Sequence, residues 1–155
     1  MQGNSKVLAQ LNERLADELT AVNQYIVHAE LCENWGFQKL HDVIKRRAIE
    51  EMKHAEKLIA RIIFLEGQPT VSNLRPMHIG AEVEKQHKND LQAETDAVAA
   101  YNQDIRICVE QGDNGTREML EAILKDEEAH VDWLEAQLDQ IRQMGLPAYL
   151  SEQLP

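Results

Sequence analysis

Two Glu-x-x-His pairs, Glu51/His54 and Glu127/His130, lie 76 residues apart in the chain, and two further glutamates, Glu18 and Glu94, are separated by the same 76 residues. Residues three apart share a helix face, so each pair turns one carboxylate and one imidazole the same way. Glu18 falls in the apolar stripe of Leu11, Leu15, Val22 and Tyr25, and Glu94 in that of Leu91, Val98, Tyr101 and Ile105. Glu51 and His54 line up with Leu58 and Ile62, and Glu127 and His130 with Leu134 and Leu138, so all six point towards a core. One buried carboxylate costs several kcal/mol even after relaxation, on the order of the penalty for any buried ion, and four close together also repel one another. No Lys or Arg is expected in these layers, and two histidines cannot balance four carboxylates. Two divalent cations can. Oxygen-rich ligands with one imidazole per metal suit iron or manganese better than zinc. Glu51 and Glu127 are the natural bridges, with Glu18 and Glu94 capping one metal each and His54 and His130 supplying nitrogen. A single Glu-x-x-His is usually a solvated helix face; six such residues in two copies are not explained that way. Oxidation of both ions would raise the positive charge by two, which a bridging oxide or hydroxide offsets.

Long helices must position these groups. Apolar residues recurring at steps of three and four predict helix A over about Ser5–Glu33, helix B over Phe37–Glu66, helix C over Glu82–Gln111 and helix D over Thr116–Met144. "NWG", "EGQP" and "GDNG" punctuate them, and "GLPAYLSEQL" predicts a short fifth helix with Pro147 in its first turn. The A–B and C–D connections are short, which makes each pair an antiparallel hairpin. The stretch from Gly67 to Ala81 contains Gly and Pro and cannot continue a helix. Its 15 residues reach about 50 Å when extended, enough to run the length of a bundle about 42 Å long. Helix C then lies parallel to B. The 76-residue offset also superposes Leu15 on Leu91, Tyr25 on Tyr101, Cys32 on Cys108, Glu50 on Asp126 and Leu58 on Leu134. The expected architecture is all-α: two copies of one hairpin joined by a long crossover into a four-helix bundle, with a short C-terminal helix, forming one domain over residues 1–155.

The remaining composition narrows the function. Sixteen basic against 27 acidic residues give a net charge of −11, which argues against nucleic-acid or anionic-membrane surfaces and for cationic partners. No stretch approaches the roughly 20 apolar residues of a membrane span, and "MQGNSKVLAQ" has no signal-peptide core, so a soluble cytoplasmic protein is expected. Cys32 and Cys108 lie 14 residues beyond their respective glutamates, about 21 Å along oppositely directed helices. They are expected to be separate, reduced thiols.

The segments "MQGNSKVLAQLNERL", "ELTAVNQYIVHAE", "NWGFQKL", "EEMKHAEKLIARIIFLEGQP", "DEEAHVDWLEAQLDQI" and "MGLPAYL" resemble the bacterioferritins over essentially the whole chain. Met52 narrows the match within ferritin-like proteins. One residue beyond Glu51, it is rotated about 100° from the metal face; by itself it reads as packing at an apolar subunit contact. The resemblance implies instead that Met52 and its twofold mate ligate one b-type haem between two subunits. It further implies a hollow homo-oligomeric shell of 24 subunits, di-iron ferroxidase chemistry on Fe(II) with O2 or hydrogen peroxide, storage of ferric mineral, and release by electrons from a small ferredoxin. The alternative is a discrete di-iron or di-manganese redox enzyme of the same fold, peroxidase-like or catalase-like, that stores nothing.

Two departures stand out. Family members carry a histidine at the position of Arg46, where with acidic groups at Glu50 and Asp126 it forms an extra iron site; an arginine stays protonated and cannot ligate. Arg46 and Arg47 are candidates to tie down Glu50 and Asp126 by salt bridges instead. The turn "QGDNGTREML" lacks the family's aromatic-rich turn. Tyr25 is expected to be a core aromatic with a satisfied hydroxyl, and Trp35 and Trp133 to be packing residues, Trp133 also being a candidate for electron transfer. His28, His41, His78 and His87 have no partner at ligand spacing and are expected at the surface.

Overall fold

The computed structural model describes all 155 residues, and its helices follow the predicted periodicity closely: α1 Ser5–Asn34, α2 Gln38–Phe64, α3 Val83–Glu110, α4 Asn114–Met144 and α5 Leu146–Ser151. Side chains set several of the ends. The Asn4 carboxamide oxygen accepts from the backbone N–H groups of Lys6 and Val7 at 2.9 and 3.3 Å, and Asp113 accepts from Thr116 N–H at 3.0 Å. α1 packs on α2 and α3 on α4 as two hairpins, α1 also meets α3, and α5 lies against α4.

The internal repeat extends to backbone detail. Gly36 and Gly112 occupy left-handed conformations with φ of 83° and 70°, and in each turn the following N–H reaches back to a cysteine carbonyl, Phe37 to Cys32 at 2.9 Å and Asp113 to Cys108 at 2.8 Å. Both are the same helix-ending motif. The second turn therefore keeps the backbone of the first even though Gln111 and Asp113 stand where the first carries Trp35 and Phe37.

The crossover runs the length of α1, as its reach allows. Asn12 accepts from Thr70 N–H, Thr20 from Arg75 N–H, Gln24 from His78 N–H and His28 Nε2 from Gly80 N–H, all at 2.9–3.0 Å. Arg75 adds ion pairs to Glu13 and Asp17.

These contacts correct the histidine expectation. His78 is exposed, but His28, His41 and His87 are buried. His28 accepts at Nε2, so its Nδ1 carries the proton and donates to Asp90 at 3.0 Å. Burial presses His87 down to about 4, keeping it neutral beside the Tyr149 hydroxyl at 3.0 Å, and Tyr149 in turn donates to Gln137 at 2.7 Å. That chain fastens α5 to α3 and α4.

The apolar core is divided in two. One cluster gathers Val7, Leu11, Leu15, Leu58, Ile62 and Leu120, the other Tyr25, Leu40, Ile44, Val83, Ile141 and Tyr149. Cys108 lies in the first and Cys32 in the second, both buried and free. No helix is long and apolar enough to cross a membrane.

Candidate metal centre

Between the two apolar clusters lies a polar layer made of the six residues singled out by spacing, Glu18, Glu51, His54, Glu94, Glu127 and His130, all buried. α1 and α3 each deliver one glutamate at mid-length; α2 and α4 each deliver a Glu-x-x-His pair. His54 Nδ1 lies 3.5 Å from Glu18, 3.5 Å from Glu51 and 3.1 Å from Glu127. His130 Nδ1 lies 3.0 Å from Glu51, 3.2 Å from Glu94 and 3.6 Å from Glu127. Two four-residue clusters result, and Glu51 and Glu127 belong to both. The imidazoles stack with centroids 6.4 Å apart.

The surroundings brace this layer reciprocally. Tyr101 donates its hydroxyl to Glu18, and Tyr25, its counterpart in the repeat, donates to Glu94. Burial, together with nearby carboxylates, raises both phenols far above their ordinary range, so they remain donors. His54 Nε2 contacts Asp126 at 2.9 Å and His130 Nε2 contacts Glu50 at 2.6 Å. Each histidine thus turns Nδ1 inward and has Nε2 held by a carboxylate from the opposite Glu-x-x-His helix, which fixes ring and tautomer. Glu50 and Asp126 are consequently not tied to arginines. Arg47 is buried and stacks over Trp133, 5.2 Å from the ring centroid, and Arg46 makes no ion pair. Trp133 also meets the His87 ring edge-on at 5.6 Å.

Protons and carboxylates in the layer are strongly interdependent. Burial and the charges of Glu18, Glu94 and Glu127 raise Glu51 well above the carboxylate range. Burial and Glu127 push Glu94 up to about 8. Burial also opposes ionisation of Glu18 and Glu127, yet the protonated carboxyls of Glu51 and Glu94 and the adjacent imidazoles hold both low. Burial disfavours the charged imidazoles too, but the surrounding carboxylates outweigh it, lifting His54 to about 11 and His130 to about 9. Despite this sharing, Glu18 Oε2, Glu51 Oε1, Glu94 Oε2, Glu127 Oε1 and His54 Nδ1 are buried without a hydrogen-bond partner. Buried polar atoms are rarely left so. Five such atoms, divided between the two clusters, are a donor set that fits metal ions.

Four helices, each turning a carboxylate inward, with a Glu-x-x-His on two of them, define the dimetal-carboxylate class of helix bundle. A family model described as the ferritin-like domain matches residues 8–144. The bacterioferritin of Brucella melitensis is 42% identical over 96% of this chain and 92% of its own length. That of Rhodobacter capsulatus is 42% identical over 94% and 90%, and that of Mycobacterium leprae 38% identical over 98% and 96%. The chain belongs to the bacterioferritin family of ferritin-like proteins.

Met52 is where helical rotation puts it, outside the bundle. It is 45% exposed while Glu51 and His54 on either side of it are buried, and Ile49, one turn earlier on the same face, is 41% exposed. The two form an apolar, thioether-bearing surface suited to a flat hydrophobic ligand or a subunit contact.

Proposed function

We infer that the protein takes up ferrous iron, oxidises it at the dimetal centre and stores the ferric product inside a multisubunit shell. The observation that carries this reading is the pair of ligand clusters sharing Glu51 and Glu127, with partnerless buried carboxylate oxygens. Four carboxylates against two Fe(II) ions leave the layer neutral, which no combination of its own side chains achieves without protons. Glu18 and His54 would hold one ion, Glu94 and His130 the other, and Glu51 and Glu127 both. Two ferrous substrate ions supply two electrons, enough to reduce O2 with two protons to hydrogen peroxide, or peroxide with two protons to water.

The chain's own groups have defined parts in this. Tyr25 and Tyr101 hold the terminal glutamates from behind; Asp126 and Glu50 hold the imidazoles in the tautomer that presents a lone pair at Nδ1. The apolar clusters on either side keep water away and strengthen every charge interaction in the layer. The net charge of −11 favours approach of cations.

The family supports a homo-oligomeric shell of 24 subunits and a b-type haem between twofold partners, with Met52 as axial ligand; a soft thioether suits haem iron. Electrons from a small ferredoxin would reach stored iron through that haem. A discrete dimetal enzyme of the same fold, storing nothing, would instead elute at roughly 20–80 kDa rather than several hundred on size exclusion. Glu18→Ala and His130→Ala are expected to abolish rapid Fe(II) oxidation and to lower cobalt(II) uptake, and an unchanged rate in either would refute the ligand assignment. Met52→Leu is expected to remove the haem bands from the visible spectrum while leaving Fe(II) oxidation intact; bands that persist would defeat the axial role.

A further inference from the structure

A second group of metal-ligand side chains lies at the far end of the first hairpin. Glu30 and Glu33 are one turn apart near the C-terminal end of α1, and His41 sits in the first turn of α2. One ligand atom from each falls within 4.8 Å of the other two. Glu30 is 12 residues beyond Glu18 and His41 is 13 before His54, so the group lies about 18–20 Å along the helices from the dimetal centre.

The orientation of His41 is the decisive feature. Its ring is only 5% exposed, and Nδ1 lies 2.9 Å from the Ala29 carbonyl oxygen. A carbonyl only accepts, so Nδ1 carries a proton, and in the neutral ring Nε2 carries the lone pair. Nε2 makes no hydrogen bond. Its nearest carboxylate oxygen, Glu33 Oε2, is 3.8 Å away, too far for a hydrogen bond but fit for two ligands flanking an ion. An imidazole anchored through one N–H to a backbone carbonyl, with the other nitrogen free and aimed at carboxylates, is the arrangement that metal-binding histidines adopt.

Electrostatics point the same way. The carbonyl end of a helix carries partial negative charge, yet α1 has no basic residue in its last turn and brings Glu33 there, with Glu30 just before it. A divalent cation offsets both. Glu30 and Glu33 are exposed, so their carboxylates are free to turn onto a shared ion.

We propose that Glu30, Glu33 and His41 form a mononuclear site for a divalent first-row transition ion such as Fe(II), Mn(II), Co(II) or Zn(II), with water completing the coordination. The imidazole selects these ions over Ca(II) and Mg(II), which prefer all-oxygen sites. The site is separate from the dimetal centre and does not depend on its chemistry.

Anaerobic cobalt(II) titration of the assembled protein tests this. The wild type is expected to take up one more ion per subunit than either the E30Q/E33Q double variant or His41→Asn, with the initial rate of Fe(II) oxidation unchanged in E30Q/E33Q. Cobalt anomalous diffraction is expected to place a peak about 2.1 Å from His41 Nε2. Equal uptake by wild type and E30Q/E33Q, whose two glutamates are exposed and whose fold is not at risk, would overturn the site, as would a third ion retained in His41→Asn. The readout is a difference of one ion, so it stands whether or not the dimetal centre holds two.

Discussion

Loading two divalent cations into the dimetal layer at pH 7 is expected to release about four protons per subunit, because metal ligands must be deprotonated. Glu18 and Glu51 share one proton and Glu94 and Glu127 another, with Glu51 raised well above the carboxylate range and Glu94 at about 8. His54 at about 11 and His130 at about 9 each hold an additional proton. At pH 7 Glu94, His54 and His130 are therefore at least about nine-tenths protonated, Glu51 is shifted in the same direction, and the metal-free layer is neutral: two carboxylates against two imidazoliums. Two dications with four carboxylates and two neutral rings are also neutral, so the exchange is two ions for four protons. As pH rises through 8, Glu94 loses its proton before metal arrives and the release falls towards three. Calorimetric titration with zinc or cobalt(II) in phosphate and in Tris, whose ionisation enthalpies differ, gives the proton count directly. A release of fewer than two per subunit at pH 7 would refute the protonation scheme. The same shifts fix the stability of the metal-free protein. Glu94, His54 and His130 are raised above their unfolded values, so their contribution is complete below about pH 4.5 for Glu94 and about 6.5 for the histidines, whereas Glu18 and Glu127, held low, contribute fully above about pH 4.5. The contribution of the raised groups is lost as pH climbs through about 8 for Glu94, about 9 for His130 and about 11 for His54. Thermal stability without metal should accordingly fall from pH 5 to 9, and metal should remove most of that slope.

Other consequences are separable. Tyr25→Phe deletes the phenolic donor to Glu94 and should destabilise the metal-free protein by about 1–3 kcal/mol, and the metal-loaded protein by less; denaturant unfolding with equal losses in both would contradict the role of the hydroxyl. Glu50→Gln and Asp126→Asn remove the carboxylates behind His130 and His54 and should weaken cobalt(II) binding by about tenfold, the low end for such partners because both are half exposed. The check is a binding isotherm with the helical circular dichroism spectrum unchanged.

The convergence of the six residues was legible in the sequence because each reveals itself within its own helix, by occupying an apolar stripe, and because the repeat doubles the signal. The place of Glu51 and Glu127 in both clusters followed from the same logic, and so did the outward turn of Met52. What escaped depends on a partner from another segment. His28 reads as a surface residue until Asp90, 62 positions later, and the backbone of Gly80 close on it. His41 is 8 and 11 residues from Glu33 and Glu30, across a turn, so no helical spacing connects them. Glu50 and Asp126 sit one step off the metal face and were matched with arginines by charge alone; the imidazole Nε2 atoms, which emerge at the bundle edge, reach them first. The shared Gly36 and Gly112 turn was present in the repeat, but its side chains had diverged too far for the likeness to show.

The contacts that brace the central layer cross from one hairpin to the other, and so do those of His54 with Glu127 and His130 with Glu51. Tyr25 of the first reaches Glu94 of the second and Tyr101 of the second reaches Glu18 of the first; Glu50 and Asp126 trade in the same way. Neither hairpin owns a complete ligand set, since each cluster draws glutamates from both. The centre is thus a seam, and ions bound there would be rivets through it. A chain cut within the Gly67–Ala81 crossover would hold together only as firmly as that seam is riveted, so its two fragments would part when a chelator is added and rejoin when metal returns.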